Sequence, residues 1–489
     1  MDDQVAARGR ALALEDATGA AWAYADLDGA ARALGQVLTA QGVRQGDRIL
    51  IVSENCAAAV AALFATWRLG AVAVPVNARQ SAREIDRIIA HACPRARMFT
   101  SEVSGDAAAH AARCDAPAIS GDWGRLDMSV APGDGARSDA DVAVVLYTTG
   151  TTGDPKGVML THDNLRFGAA TSAAFRGMSA RDLIYGVLPI THVFGLCSIL
   201  VASVHVGATL RLIPRFDVRA VFDGLRQGIT LFSGVPQMHA LLMAHATGQG
   251  LEQLGADRLR FVSSGAAPLD PAWKRKAEGF YGVALQNGYG MTESTAGIAA
   301  THNAIGDPDT SVGPALPGIE VTIDEAVSGG GDRVGEVLTR GAHVMKGYFR
   351  NADATSQVLD PEGWLRTGDL GRIDDQGRLH IVGRCKELII HGGFNVYPPE
   401  VEAALNEHPQ VIQCAVVGRL VNGDEKPVAF VQSDPADRPD PADLRAFAAE
   451  RLTGYKRPSQ IVVVDELPAA HSGKILKTKL LDTFADLLD

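Results

Sequence analysis

The stretch YTTGTTGDPKGVMLTH, residues 147–162, is the most informative part of the chain, and an apolar run, VAVVLY, leads into it. Glycines let a ligand approach the backbone, hydroxyls donate hydrogen bonds to phosphate oxygens, and Lys156 adds a point charge. The stretch therefore predicts a phosphate-binding loop after a buried strand. It does not match the Walker A loop, GxxxxGK[ST], because Lys156 follows Pro155 and Gly157 stands where serine or threonine would hold Mg²⁺.

The bulk composition bounds the kind of protein. A chain of 489 residues exceeds one ordinary hydrophobic core, which predicts at least two domains. A net charge of −11 argues against a nucleic-acid or anionic-membrane partner. Six cysteines without a CxxC pair favour a reducing compartment and no structural metal. With neither a signal peptide nor an apolar run that could span a bilayer, we expect a cytoplasmic protein.

Hydrophobic patterning predicts the fold class. Short apolar strands such as GDRILIV (46–52) and AVAVPVN (71–77) alternate with helical segments, which is typical of a parallel α/β sheet. From about 313 to 383 the pattern changes to short strands with glycine-rich turns. We therefore predict an N-terminal domain over 1–385, made of α/β sheets and a β-barrel-like subdomain, and a small α+β C-terminal domain over 386–489.

Further motifs give the chain a family resemblance. These are SSGAAPL (263–269), NGYGMTES (287–294), TGDL (367–370), GRCKELIIHGGFNVYPPEVE (383–402) and PAAHSGKILKTKL (468–480). With the phosphate loop they resemble, in family order, the adenylate-forming superfamily: acyl-CoA and aryl-CoA ligases, peptide-synthetase adenylation domains and beetle luciferases. The resemblance covers nearly the whole chain. It implies that a carboxylate and ATP form acyl-AMP and pyrophosphate with Mg²⁺, and that the C-terminal domain is mobile.

The resemblance also implies roles for residues around the nucleotide. Tyr289 would stack on adenine, Thr292 would bond the α-phosphate, Glu293 would hold Mg²⁺, and Asp369 and Arg384 would bond the ribose. The other nucleotide-binding positions come from the phosphate loop, the SSGAAPL segment and the NGYGM segment: Thr148, Thr149, Gly150, Thr151, Thr152, Gly153, Lys156, Ser264, Gly265, Ala266, Ala267, Asn287, Gly288, Gly290 and Met291.

The C-terminal motifs imply the remaining steps. Lys386 matches the hinge about which the C-terminal domain swings, and Gly392 and Gly393 match the glycines beside which the pantetheine arm of CoA passes. Lys474 matches the lysine that bridges the attacking carboxylate and the α-phosphate, where its charge would stabilise the transition state. The family's Pro-x-Thr start of that loop is replaced here from Pro468 onward, which leaves the cap of the loop open.

The segments of the expected acyl pocket narrow the substrate. No acid occurs between Leu183 and Arg215, which argues against an α-amino acid. His192, in LPITHVFGL, resembles a gate beside the acyl carboxylate; the alternative is a satisfied core histidine. Apart from His192 and Glu293 the pocket segments are neutral: 192–196, 232–238, 263–268 and 286–297. A second carboxylate would therefore lack a partner, which favours an uncharged aromatic or medium-chain aliphatic acid.

The sequence leaves two alternatives for the identity of the acyl acceptor. The leading interpretation is an AMP-forming carboxylate–CoA ligase with ATP, Mg²⁺ and CoA, acting as a monomer or homodimer. The second is an adenylating enzyme that passes the acyl group to the phosphopantetheine of a carrier protein. A regulator with a decayed site would lack Glu293, Asp369 or Lys474, and the sequence retains all three.

Overall fold

The computed structural model describes residues 1–132, 137–148, 156–265, 269–327, 330–331, 333–392, 394–421, 423–469 and 475–488. Its helices are α1 (Asp2–Arg8), α2 (Tyr24–Ala40), α3 (Ala57–Arg68), α4 (Ala82–Ala92), α5 (Gly105–Arg113), α6 (His162–Phe175), α7 (Ala202–Val206), α8 (Val218–Arg226), α9 (Pro236–Gly248), α10 (Pro271–Tyr281), α11 (Ala352–Val358), α12 (Pro398–Asn406), α13 (Pro441–Arg451) and α14 (Lys477–Thr483).

The strands before residue 300 are β1 (Leu12–Glu15), β2 (Ala21–Ala23), β3 (Arg48–Ser53), β4 (Val72–Asn77), β5 (Ala96–Phe99), β6 (Ala118–Gly121), β7 (Gly124–Val130), β8 (Val142–Thr148), β9 (Lys156–Thr161), β10 (Leu183–Gly186), β11 (Thr209–Leu212), β12 (Leu231–Gly234), β13 (Phe261–Gly265), β14 (Leu285–Tyr289) and β15 (Ala299–Ala300). Those that follow are β16 (Ile319–Asp324), β17 (Gly335–Gly341), β18 (Gly347–Tyr348), β19 (Leu365–Ile373), β20 (Leu379–Arg384), β21 (Ile389–His391), β22 (Phe394–Val396), β23 (Gln413–Val421), β24 (Asp424–Gln432) and β25 (Gln460–Val464).

Two large sheets form the body of the molecule. The first, sheet I, has the described strand order β15-β14-β13-β12-β10-β11-β1-β2. The second, sheet II, has the order β18-β9-β8-β4-β3-β5-β7-β6. Their central strands pair in parallel, as β10 to β14 and β3 to β5 do, while antiparallel pairs lie at the edges. Every residue of β3 is buried, as expected for a parallel strand covered on both faces. The predicted α/β class is confirmed.

One hydrophobic cluster joins the two sheets. It contains Ile49 and Ile51 of β3 and Leu210 and Leu212 of β11. Helix α3, with sequence AAAVAALFATWR, belongs to the same cluster and is buried along ten of its twelve residues. Small side chains let a helix approach its neighbours closely, so this alanine-rich segment can lie inside the core. Packing within this cluster therefore holds β3 of sheet II and β11 of sheet I in place.

Smaller units follow the two sheets. Strands β16, β17, β19 and β20 pair antiparallel in the region where glycine-rich turns predict a β-rich subdomain. Further on, β23 and β24 pair antiparallel and β25 adds in parallel. Helices α12 and α13 cover these strands in a separate hydrophobic cluster that includes Val401, Ala429 and Leu444. This is the α+β arrangement predicted for the C-terminal region, and its boundary at Lys386 stays a prediction. Within the described ranges, no helix is long and apolar enough to cross a membrane.

Candidate active site

The carboxyl ends of three parallel strands of sheet I meet in one row. Gly234 of β12 lies beside Ser264 of β13, which lies beside Asn287 of β14. Ligands of open α/β sheets bind at such carboxyl ends. The buried Ser264 hydroxyl has no hydrogen-bond partner among the described residues, so a donor and acceptor are available in this row. The register thus brings together the SSGAAPL and NGYGM segments, which are separate in sequence.

The turn after β14 requires a glycine. A Cβ added to Gly290 would lie 1.3 Å from the carbonyl oxygen of Ala296. The same turn holds Thr295 and Ala296 at φ angles of 49° and 85°, a region that most side chains avoid. The Thr295 hydroxyl donates to the His343 carbonyl at 2.6 Å, which ties the turn to the core. Gly290 is therefore explained by packing of the turn itself.

Glu293 lies on this turn and is 8% exposed. The Tyr348 hydroxyl donates to Glu293 Oε1 at 2.9 Å, and Lys156 Nζ lies 4.9 Å from the Tyr348 ring centroid. Burial raises the pKa of the Glu293 carboxyl, whereas the Tyr348 hydrogen bond and the Lys156 charge act in the opposite direction. The structure thus gathers a buried carboxylate and a lysine where β14 of sheet I faces β9 and β18 of sheet II.

A second cluster joins sheet I to the β16–β20 sheet. The Tyr289 hydroxyl donates to Asp369 Oδ2 at 2.6 Å, and Arg384 Nε lies 3.1 Å from Asp369 Oδ1. Asp369 and Arg384 are direct partners on β19 and β20. Burial, and then the Asp369 carboxylate, raise the pKa of Tyr289, so the phenol keeps its proton and acts as the donor. Three residues predicted to surround a nucleoside are therefore in mutual contact.

The phosphate-loop residues are described only at the two ends of the loop. Thr148 and Lys156 are direct antiparallel partners on β8 and β9, so residues 149–155 connect two paired strand ends. Nine predicted site residues lie outside the described part of the chain: Thr149, Gly150, Thr151, Thr152, Gly153, Ala266, Ala267, Gly393 and Lys474.

The described residues of the acyl side begin at His192. Its amide donates to the Pro189 carbonyl at 3.0 Å, and its carbonyl accepts from Leu196 at 2.8 Å. The residue is exposed, which excludes a buried core histidine. A π-helix, Phe194–Val201, follows directly. Helices of this type are rare, and those that occur are often found at functional sites. The segment LPITHVFGL therefore leads into an unusual backbone at the place where a pocket wall is predicted.

Charged residues continue from Arg384 into the C-terminal region. Glu387 lies 3.9 Å from Arg384 Nη1 and 3.2 Å from Lys477 Nζ, and Lys477 lies 2.7 Å from Glu402. Attraction to both carboxylates raises the pKa of Lys477 against the effect of its burial, which is the larger single cause. Lys386 is exposed beside this chain of contacts. Gly392 has φ 58° and donates its amide to Asp424 at 2.9 Å.

The sequence motifs miss two side chains that lie beside the predicted site residues. Tyr348 contacts Glu293 but lies 55 positions away in KGYF, a segment without a chemical signature of its own. Arg176 follows α6 and lies beside Phe194, although no pocket segment of the sequence contains it. Both contacts arise from packing between elements far apart in the chain, and local pattern does not reveal them.

The comparisons with known proteins agree with this geometry. A family model described as AMP-binding enzyme matches residues 1–349, and one described as AMP-binding enzyme C-terminal domain matches residues 400–474. The chain belongs to the family of AMP-binding enzymes. The resemblance to adenylate-forming enzymes is thereby confirmed.

Individual relatives match over almost the whole chain. The feruloyl-CoA synthase of an Amycolatopsis species is 34% identical, with 95% of this chain and 94% of the relative covered. The 4-coumarate–CoA ligase 1 of Oryza sativa subsp. japonica is 32% identical, with 96% and 89% covered. A solved structure of O-succinylbenzoate coenzyme A synthetase from Bacillus subtilis, in complex with ATP and magnesium ion, has a TM-score of 0.83 at 29% identity, with 98% of each chain covered.

Proposed function

We propose that this protein is an ATP-dependent carboxylate–CoA ligase for an uncharged aromatic or medium-chain aliphatic acid. The observation that carries the proposal is the convergence of two clusters, Glu293–Tyr348–Lys156 and Tyr289–Asp369–Arg384, on the turn after β14. The acid–thiol ligase class is confirmed by the curated relatives, which are named CoA ligases or synthases.

In the first half-reaction an oxygen of the acid's carboxylate bonds to the α-phosphorus of ATP. The bond from that phosphorus to the bridging oxygen breaks, and pyrophosphate leaves. Lys156 and the Thr148–Gly153 loop would bind the departing phosphates, and Thr292 the α-phosphate. Lys474 would bridge the two anionic reactants, which lowers the electrostatic barrier.

The environment of Glu293 fits a hard cation. Its carboxylate is buried and is stabilised by a backbone amide, the Tyr348 hydroxyl and the Lys156 charge, yet burial still raises its pKa, so a cation would offset its desolvation. Glu293 would hold Mg²⁺ with phosphate and water oxygens as the other ligands, and the ion would offset the charge of the triphosphate. An ATP complex with magnesium is also known from the Bacillus subtilis relative.

In the second half-reaction the thiol of CoA loses its proton to water, its sulfur bonds to the acyl carbon, the bond from that carbon to the phosphate oxygen breaks, and AMP leaves. The site must first stabilise a phosphoryl transition state and then admit a thiol. A hinge at Lys386, between domains 1–385 and 386–489, would exchange the Lys474 loop for the Gly392–Gly393 loop. Arg384 and Glu387, on either side of Lys386, lie 3.9 Å apart, and Glu387 also pairs with Lys477 of the C-terminal region.

The acyl side supports an uncharged acid. His192 would gate the reacting carboxylate, and the wall beyond it continues into the buried, apolar π-helix. One relative is named a 4-coumarate–CoA ligase and another a feruloyl-CoA synthase. These names favour an aromatic acid over an aliphatic one. We further propose that the enzyme works in the cytoplasm, since its described cysteines are all free thiols.

The test is pyrophosphate release across a panel of acids, with and without CoA. We expect release with aromatic or medium-chain monocarboxylic acids, and acyl-CoA together with AMP once CoA is present. Higher kcat/KM for malonate or amino acids would contradict the substrate class. Release that is followed by transfer to a carrier protein but never to CoA would favour the alternative acceptor.

A further inference from the structure

Arg176 is a buried arginine that the proposed reaction does not use. Arg176 directly follows α6 and is 9% exposed. Its Nη1 donates to the Ser172 carbonyl at 3.2 Å, which resembles a helix-end contact. This contact uses one of the five N–H donors of a guanidinium. Arg176 Nε is buried and has no partner among the described residues.

Aromatic faces surround the guanidinium. Its central carbon lies 5.9 Å from the ring centroid of Phe175, 5.8 Å from that of Phe194 and 5.9 Å from that of Phe261. Such contacts, together with the Ser172 carbonyl, stabilise the cation where no carboxylate among the described residues pairs with it. The guanidinium therefore keeps N–H groups that can donate a hydrogen bond to an acceptor in an apolar surrounding. Burying a donor without a partner costs free energy, which a bound acceptor would recover.

Phe194 connects Arg176 to the acyl side. The ring of Phe194 lies 3.4 Å from the place where a Cβ on Gly265 would stand, so it covers the end of β13. The centroid of the same ring lies 5.8 Å from the central guanidinium carbon of Arg176. The reacting carboxylate belongs near His192 and Thr292, at the strand ends. Arg176 therefore lies across Phe194, towards the end of the acyl group that is remote from the reacting carboxylate.

Further polar groups lie at the same place. Ser198 of the π-helix and Ser172 of α6 place their hydroxyl oxygens 3.0 Å apart, both in buried positions. The backbone carbonyl of Ser172 is the one that Arg176 contacts. A hydroxyl pair and an arginine thus occupy one corner of an otherwise apolar region, and the rare π-helical backbone runs through it.

We propose that Arg176 forms a subsite that binds a neutral oxygen acceptor, such as a phenol hydroxyl or methoxy oxygen, at the far end of the acid. The proposal rests on the proposed ligase function and deepens it. It adds a residue that determines specificity and leaves the reacting atoms unchanged. It also departs from the sequence-based expectation of a neutral pocket, because the cationic donor comes from outside the pocket segments.

The test compares acids that differ only at the far end: cinnamate, 4-hydroxycinnamate, 4-methoxycinnamate and 4-carboxycinnamate. We expect the wild type to prefer 4-hydroxycinnamate to cinnamate by kcat/KM, by roughly 10- to 100-fold, as for a hydrogen bond from a charged donor. In Arg176→Met this preference falls to near one. The loss appears mainly in KM, and Arg176→Lys restores part of the preference.

Arg166→Met is the matched control, because Arg166 is an exposed arginine of the same helix. It should leave all ratios unchanged. A wild-type preference for cinnamate or for 4-carboxycinnamate overturns the proposal without any variant, and so does an unchanged ratio in a folded Arg176→Met. These outcomes still leave acyl-CoA as product, whereas failure of the ligase function itself would give no acyl-CoA from any acid.

Discussion

On the nucleotide side of the β14 strand end, charged and polar side chains pair with one another; on the acyl side, a single arginine lies among aromatic rings. Tyr289, Asp369 and Arg384 come from three strands and hold each other at 2.6 and 3.1 Å. Arg176 has no carboxylate partner in the described part of the chain and contacts rings instead. Under the proposed function, the nucleotide side would be preorganised for a substrate that the whole family shares, whereas the acyl side would leave a donor for one particular substrate.

We expect the largest loss of activity when the negative charge of Glu293, at the centre of the nucleotide side, is removed. Glu293→Gln keeps the shape and the Tyr348 hydrogen bond but removes the anion proposed to hold Mg²⁺. Adenylation should fall by about 10³-fold, with a raised requirement for Mg²⁺. The measurement is acid-dependent pyrophosphate release over a Mg²⁺ titration. Glu362→Gln, at an exposed carboxylate, should behave as wild type. Unchanged Mg²⁺ dependence in Glu293→Gln would remove this residue from the site.

A smaller effect is expected on the stability of the turn after β14, where Gly290 is required by packing. In Gly290→Ala the new methyl would overlap the Ala296 carbonyl, so the turn must move. We expect a loss of about 1–3 kcal/mol in the free energy of unfolding. The control is Gly279→Ala in α10, where nothing lies within 4 Å of the added methyl and a gain of about 0.5–1 kcal/mol is expected. Denaturant titration measures both, and equal stabilities would contradict the packing explanation.

The smallest effect concerns the pH dependence of stability. Because burial raises the pKa of Glu293, the folded chain binds that proton more tightly than the unfolded chain does. The stability from this group is therefore present at low pH and lost as pH rises through the folded-state pKa. Without ATP or Mg²⁺, Glu293→Gln should melt above wild type at pH 7, and the difference should vanish below the ordinary carboxyl range. A difference that grows towards low pH would reverse the sign.

Local patterns could predict the fold class and the order of the motifs. Alternating strands and helices predict the sheets. Residues such as Asp369 and Arg384 can be located because each lies within a short motif that resembles one of the family. Contacts made by packing could not be predicted in this way. Tyr348 reaches Glu293 only because β18 pairs with β9, and Arg176 reaches Phe194 only because α6 ends beside the π-helix. Such contacts depend on register and on packing between elements, which no single stretch of sequence encodes.

One chain is proposed to perform two half-reactions, adenylation and thioester formation, with different residues of its C-terminal region. The direct measurement is the rate of each half-reaction, taken separately, in Lys474→Ala and Gly393→Leu. Lys474→Ala should form acyl-AMP about 10³-fold more slowly, yet convert supplied acyl-AMP and CoA to acyl-CoA at the wild-type rate. Gly393→Leu should form acyl-AMP normally and fail with CoA. Equal loss of both half-reactions in both variants would contradict the account.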